Sequence, residues 1–351
     1  MLLKFGNFIK ESIKTPTLHY AAFDWDDNIL YMPTVIHMEH LIDGEWIVED
    51  VSTSKFAEVR GDSENWRLLN NDPSQAFSEF RDNGPRGESA FSDDLKLAIK
   101  NGKYGPAWDD FIECLTNGSL LAIITARGHE SDTMRSGVEW IIDNLDDNQK
   151  EKMHDSLVMY LQIFKKSKEI EDDYDSAFSF SKSKLVKNYL DLCEFVGVSA
   201  PSRGGSPSNP EKAKEDALLQ FIEKINKFAN SIGWRASIGF SDDDLKNVKH
   251  IENLIDEIHH EEFSSLISFV VKGTKDPENI TKKVRVFESI LNFKKFCESQ
   301  DPLQTSTISM QTPNAAMSGE IDSNEPFVKQ RKKQVEVLNK LKNATLKDKK
   351  K

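Results

Sequence analysis

Tyr20-Ala21-Ala22-Phe23-Asp24-Trp25-Asp26-Asp27-Asn28-Ile29-Leu30 is the stretch that decides how this chain reads. An apolar run stops abruptly in acids. A buried parallel strand looks like this where its C-terminal end opens into a crevice. Asp24 and Asp26 are two apart, so on a regular strand they share one face. Neighbouring carboxylates repel each other, and a divalent cation is the usual compensation. Taken alone, the stretch also fits an ordinary polar strand-to-loop turn.

Three later stretches bear on it. Leu120-Leu121-Ala122-Ile123-Ile124-Thr125 is a second buried strand, ending in a hydroxyl. Arg127-Gly128-His129 turns from it into a helix running through Val138–Ile142, which offers backbone N–H groups and a favourable dipole to phosphate. Pro210-Glu211-Lys212-Ala213-Lys214 opens a long helix with lysines, and Ala236-Ser237-Ile238-Gly239-Phe240-Ser241-Asp242-Asp243-Asp244 is a further strand ending in acids.

In order and character these stretches resemble the four motifs of the haloacid dehalogenase (HAD) superfamily of phosphohydrolases. The family's first motif, DxDx(T/V), reads here Asp24-Trp25-Asp26-Asp27-Asn28, with Asn28 in place of Thr or Val. The resemblance runs from about Leu18 to Gly273, with large insertions. It implies an α/β fold with a doubly wound, Rossmann-like, HAD-type parallel sheet. It implies Asp24 as nucleophile and Asp26 as acid/base, with Thr125, Ala126 and Lys214 binding phosphate. It implies Mg²⁺ held by the Asp24 carboxylate, the Asp26 backbone carbonyl and an acid from Asp242-Asp243-Asp244. The family places a second acid or amide four positions after that acid, which Asp243 and Asn247 satisfy. Asp242 stays open as the neighbouring choice, and Asp244 reads as the cap of the next helix. Lys214 is preferred because its helix leads directly into the acidic strand; Lys212, Lys182 and Lys184 are the alternatives. An Asp at position 26 favours phosphatase chemistry over dehalogenase or ion-pump chemistry within the family.

The expected organisation is a short amphipathic helix over 1–18 and a HAD-like core from 19–30, 107–164 and 235–299. A cap insertion with a β-hairpin occupies 31–106, a second, helical insertion 165–234, and a disordered basic tail 300–351. Asp43-Gly44 between two β-rich runs marks the hairpin. Trp66, Phe77, Phe80 and Phe91 are expected to form a small core in the cap. Arg60, Arg67, Arg81 and Arg86 are available there for substrate anions. Strand alternation parts His40 from His37 and Glu39, a poor zinc set. Core strands are expected at Leu157–Leu161 and Ser265–Val271. Helices are expected over Lys184–Phe195, Glu211–Ile232 and Lys282–Cys297, the last as a closing helix.

Composition narrows the function classes. The chain has 351 residues, is 38% hydrophobic and 30% charged, and carries a net charge of -12. From Lys329 to Lys351 ten Lys or Arg stand against Glu336 and Asp348, so this tail is +8 and the remainder -20. An acidic body disfavours a broad nucleic-acid surface, while the basic tail keeps an anionic partner in view. The three cysteines, Cys114, Cys193 and Cys297, lack metal-type spacing. The N-terminus lacks the features of a signal peptide and no apolar run reaches membrane length, so a cytoplasmic location without membrane contact is expected. The leading expectation is a Mg²⁺-dependent phosphatase for a small phosphorylated metabolite or nucleotide. A polynucleotide-end phosphatase is the alternative substrate class. A non-catalytic binding or regulatory protein with a HAD-like core is the non-enzymatic alternative.

Overall fold

β1 (Thr17–Phe23) is the middle of the central sheet, and the strands around it alternate their side chains between two cores. The sheet also contains β5 (Leu120–Thr125), β6 (Glu194–Gly197), β7 (Arg235–Asp242), β8 (Leu266–Gly273) and β9 (Thr281–Val286), in the order β6-β5-β1-β7-β8-β9. The first five in that row run parallel, and β9 pairs antiparallel with β8. The computed structural model describes residues 17–164, 179–205, 209–231, 233–258, 263, 265–275 and 281–286. Of the N-terminal helix expected over 1–18, residues 1–16 lie outside the described residues and Thr17 and Leu18 belong to β1; the basic tail lies outside the described residues.

Phe23, Leu121, Ile123 and Phe195 belong to one core, covered by α3 (Ala90–Lys100), α4 (Trp108–Thr116), α5 (Ser131–Asp143), α6 (Asp147–Phe164) and α7 (Lys184–Leu190). Tyr20, Ala22, Ala122, Ile124 and Val196 belong to the other, covered by α8 (Pro210–Ser231) and α9 (Leu245–Glu257). A parallel sheet buried on both faces has strands that read as continuous apolar runs, which is why β1 and β5 stand out in the sequence. The chain leaves β1 for β5 on one side and returns to β7 on the other. The C-terminal ends of these three neighbours therefore flank a topological switch point, where open α/β sheets hold their ligands.

The segment after β1 builds a smaller, three-stranded sheet. β2 (Ile36–Ile42) and β3 (Glu45–Val51) form the expected hairpin, with positive φ at both Asp43 and Gly44. β4 (Trp66–Leu68) pairs with β2. Two short helices follow the strands, α1 (Thr53–Val59), capped by the Ser52 hydroxyl, and α2 (Pro73–Ala76). Ile36, Met38, Val51, Val59, Ala76 and Phe80 form its core, with Phe56, Trp66 and Phe77 packed against them. Phe91 corrects the expectation: it lies in α3 and packs in the main core.

Four further expectations are corrected. Leu157–Leu161 is helix, not strand; it lies within α6, where Met153 and Leu157 share a buried face four residues apart. The strand beside β5 is β6, inside the stretch read as a helical insertion. The helix expected over Lys184–Phe195 is α7, which ends at Leu190. Lys282–Val286 is part of β9 rather than a closing helix, and Phe287–Cys297 lies outside the described residues. Among the described residues, no helix is long and apolar enough to cross a membrane.

Asn28 holds the β1 loop to its neighbours. It is fully buried, and its Nδ2 donates to the backbone oxygens of Asp24 and Ser241 at 3.2 and 3.0 Å and to Ser241 Oγ at 3.1 Å. Its Oδ1 accepts from Thr274 Oγ1 at 2.6 Å. One side chain thus ties β1 to β7 and to the residue after β8. Asn28→Ala would strand the buried Thr274 hydroxyl and Ser241 groups and should cost about 3 kcal/mol. Urea unfolding checks this; a change under about 0.5 kcal/mol, as for a surface site, would refute the clasp.

Candidate active site

Asp24, Trp25 and Asp26 alternate about the end of β1. Trp25 is fully buried against Phe91 and Phe111, with ring centroids at 5.3 and 6.5 Å. Burying an indole is worth on the order of 5 kcal/mol in transfer free energy. That anchor leaves the two acids lining a cleft of about 470 Å³ at the C-terminal edge of the sheet.

Lys214 lies one turn into α8 and is 4% exposed. Asn209 accepts from the Lys212 N–H and Pro210 starts the helix, so this turn is fixed from outside. Lys214 Nζ is 3.0 Å from Asp24 Oδ1 and 3.0 Å from Asp242 Oδ2. Burial opposes its charge, but Asp24 and Asp242 outweigh that and raise its pKa above an ordinary lysine. Of the alternatives, Lys212 is exposed and pairs with Glu215 and Asp216, and Lys182 and Lys184 are exposed on another segment.

The acids at the end of β7 divide the work. Asp242 is 0% exposed and fully engaged: it accepts from Lys214, from both-sided contact with Asn247 Nδ2 at 3.1 and 3.0 Å, and from the Asp244 N–H at 2.8 Å. Asn247 therefore serves Asp242 rather than Asp243. Asp243 lines the cleft, and Asp244 caps α9 as expected, accepting from the Lys246 N–H at 2.9 Å. Asp24, Asp242 and Asp243 have carboxylate oxygens within 4.8 Å of one another, and among the described residues they are the one such metal-type group. The hairpin residues form no such set: His37 faces Asp50, His40 stacks on Trp66, and Glu39 pairs with Arg67.

Thr125 is buried at the end of β5, and it lines the cleft with Ala126, Arg127 and Gly128. Arg127 is a buried cleft residue that the sequence reading passed over as part of a turn. It is 1% exposed and grips both oxygens of Asp26, Nε to Oδ2 at 2.8 Å and Nη2 to Oδ1 at 2.6 Å. Its Nη2 also donates to Thr34 Oγ1 at 2.9 Å, and Phe80 lies 4.6 Å under the guanidinium. Thr34 donates to Asp94, which Arg86 holds at 2.8 Å. The available signal was an arginine two residues past a strand-terminal threonine, which alone does not name its partner.

The smaller sheet is braced over this edge. Arg60, closing α1, donates to Asp244 at 2.6 Å, and the Gly128 N–H donates to Phe80 O at 2.9 Å. Of the four arginines noted in the sequence, Arg60 and Arg81 line the cleft. Arg67 is held by Glu39 and lies over Trp46, and Arg86 is held by Asp94 and Glu79.

Electrostatics in the cleft are dominated by crowded acids. Burial, reinforced by Asp242 and Asp26 and opposed by Lys214, pushes Asp24 above the usual carboxylate range. Burial and the neighbouring Asp24, Asp242 and Asp27 push Asp243 up to about 9. An acid whose folded pKa exceeds its unfolded value keeps, when folded, a proton the unfolded chain has released. Stability then falls as pH rises, here from about pH 4 to about pH 9. In EDTA the melting temperature should therefore drop between pH 5 and pH 9. Asp243→Asn should flatten that slope and raise the melting temperature at pH 8. A variant as steep as the parent would show that Asp243 does not carry the strain.

Comparison with family models, curated proteins and solved structures finds no match for this chain.

Proposed function

We propose that the protein is a Mg²⁺-dependent, HAD-type phosphohydrolase that cleaves a phosphate monoester through a phospho-aspartate on Asp24. The observation that carries the reading is convergence. Residues from β1, β5, β7 and α8, far apart in sequence, meet at one cleft as two acids, a strand-terminal hydroxyl, a buried lysine and a third acid. That set supplies what monoester hydrolysis needs: a nucleophile, charge neutralisation and a proton carrier.

Asp24 Oδ attacks phosphorus and the bond to the leaving oxygen breaks. Asp26 gives that oxygen a proton. Asp26 then takes a proton from water, whose oxygen attacks phosphorus and displaces Asp24, yielding inorganic phosphate. Lys214 keeps Asp24 aimed and offsets charge on the phosphoryl group. Thr125 and the Ala126 backbone bind its oxygens. In the arrangement seen, Asp26 is held by Arg127, so it reaches a leaving group only by exchanging that partner. Asp24 and Asp243 offer hard oxygen donors that fit Mg²⁺, with Asp242 committed to Lys214 and Asn247 behind them. The cation would offset negative charge on the phosphoryl oxygens.

Phosphate release from a panel of metabolites and nucleotides tests the reading. Release should vanish in EDTA and return with Mg²⁺. Undiminished turnover by chelated protein would remove the metal from the account.

A further inference from the structure

The cleft has two unlike sides. One is the polar edge of the sheet. The other comes from the smaller sheet and its helices: Ile36, Phe56, Leu68, Pro73, Phe77 and Phe80. Phe56 meets Phe77 edge to face at 5.4 Å, and Phe77 meets Phe80 likewise at 6.0 Å, so the three rings make a continuous surface. That surface is fixed relative to the acids by the Arg60–Asp244 ion pair and the Gly128–Phe80 backbone bond. Thr53, Arg60 and Arg81 also line this side, and Arg60 is already engaged.

Resting on the phosphatase reading above, we infer that the preferred substrates are phosphate monoesters whose leaving group carries a flat aromatic ring system. A phosphate at the sheet edge projects its leaving group toward the phenylalanines. A sugar or polyol placed there would trade hydrogen bonds to water for ring faces that return few of them. A flat ring gains burial and edge-to-face contact instead. A cleft of about 470 Å³ suits one such group with its phosphate, within the usual size of small-ligand sites. The ring can come from a nucleoside or from an aryl-substituted alcohol.

Binding and turnover test this separately, on the full chain in Mg²⁺. Calorimetry would compare 2-phenylethylphosphonate with 3-hydroxypropylphosphonate, neither of which can be hydrolysed. The aromatic member should bind at least tenfold tighter, and Phe77→Ala should shrink that ratio severalfold. Phe77→Leu, which keeps apolar volume and loses the flat ring, should give an intermediate ratio. Turnover would compare 2-phenylethyl phosphate and adenosine monophosphate with glycerol phosphate. All three have alkyl leaving groups, so leaving ability does not bias the ranking. Higher kcat/KM for the phenylethyl ester alone points to an aryl alcohol; equal or higher values for the nucleotide point to a nucleoside. Equal binding of the two phosphonates, or glycerol phosphate turned over as well as both aromatic esters, overturns the inference and leaves the phosphatase reading intact. A retained phosphonate preference without phosphate release from any ester supports the ligand class and defeats the phosphatase reading.

Discussion

Lys214→Met should remove both activity and a large part of the stability. The side chain is buried between Asp24 and Asp242, with its nitrogen 3.0 Å from an oxygen of each. Methionine fills the volume but leaves two buried carboxylates facing each other without a cation. Breaking a buried pair by removing one partner typically costs about 3–5 kcal/mol. A whole domain has only about 5–15 kcal/mol to lose. The deficit should shrink as pH falls, because burial raises the pKa of Asp24 and its protonation removes part of the uncompensated charge. Turnover per folded molecule should drop at least about 100-fold, the scale seen when a preorganised electrostatic partner is deleted. Lys212→Ala is the control: that lysine is exposed and its loss should leave both quantities nearly unchanged. Denaturant unfolding at pH 5 and pH 8, with phosphate release on the folded fraction, measures both. Equal effects of the two substitutions would remove Lys214 from the site.

Asp24→Asn should separate activity from stability in the other direction. Turnover should fall by about 10³-fold or more, since the attacking oxygen becomes an amide and covalent catalysis is lost. Stability at pH 8 should hold or rise. Asp24 is an acid that burial already pushes toward its neutral form, so a neutral isostere relieves repulsion with Asp242 and Asp26. Lys214 keeps Asp242 as its partner. Loss of activity together with gross unfolding would mean that Asp24 is a structural acid.

These outcomes bear on what could be read before the fold was known. β1, β5 and β7 were legible because a doubly covered parallel strand is apolar on both faces and then breaks into polar residues. Lys214 is preferred in the sequence because its helix leads directly into the acidic strand; its burial follows from a different feature, helical phase. Lys214 shares the helical phase of Leu218 and Phe221, which points it into the core, whereas Lys212 does not share that phase. β6 was not legible. It is four residues long, and Leu185, Tyr189 and Cys193 before it continue a helical four-residue spacing past the true end at Leu190. Leu157–Leu161 misled in the opposite sense, as a short apolar run that periodicity alone cannot assign. The division of labour between Asp242 and Asp243 depends on which carboxylate the α9 amide reaches, a matter of side-chain direction that spacing does not fix. Arg127 escaped for a similar reason. Its partner Asp26 is 101 residues away, and a buried arginine is recognised only by the carboxylate it meets.

The central claim is that Asp24 carries the phosphoryl group, and trapping it there is the most direct test. Asp26→Asn keeps an acceptor for Arg127 and leaves Asp24 intact, but it removes the group that deprotonates water in the second step. An aryl phosphate, whose leaving group needs little help from an acid, should still phosphorylate the protein in Mg²⁺. The Asp26→Asn protein should release about one equivalent of phenol per chain and stall, the burst expected of covalent catalysis. Mass spectrometry of the stalled protein should find one phosphate, on Asp24. An alkyl phosphate, with its poorer leaving group, should give no burst. A stalled protein with phosphate elsewhere, or steady turnover by Asp24→Asn near the parental rate, would contradict the account.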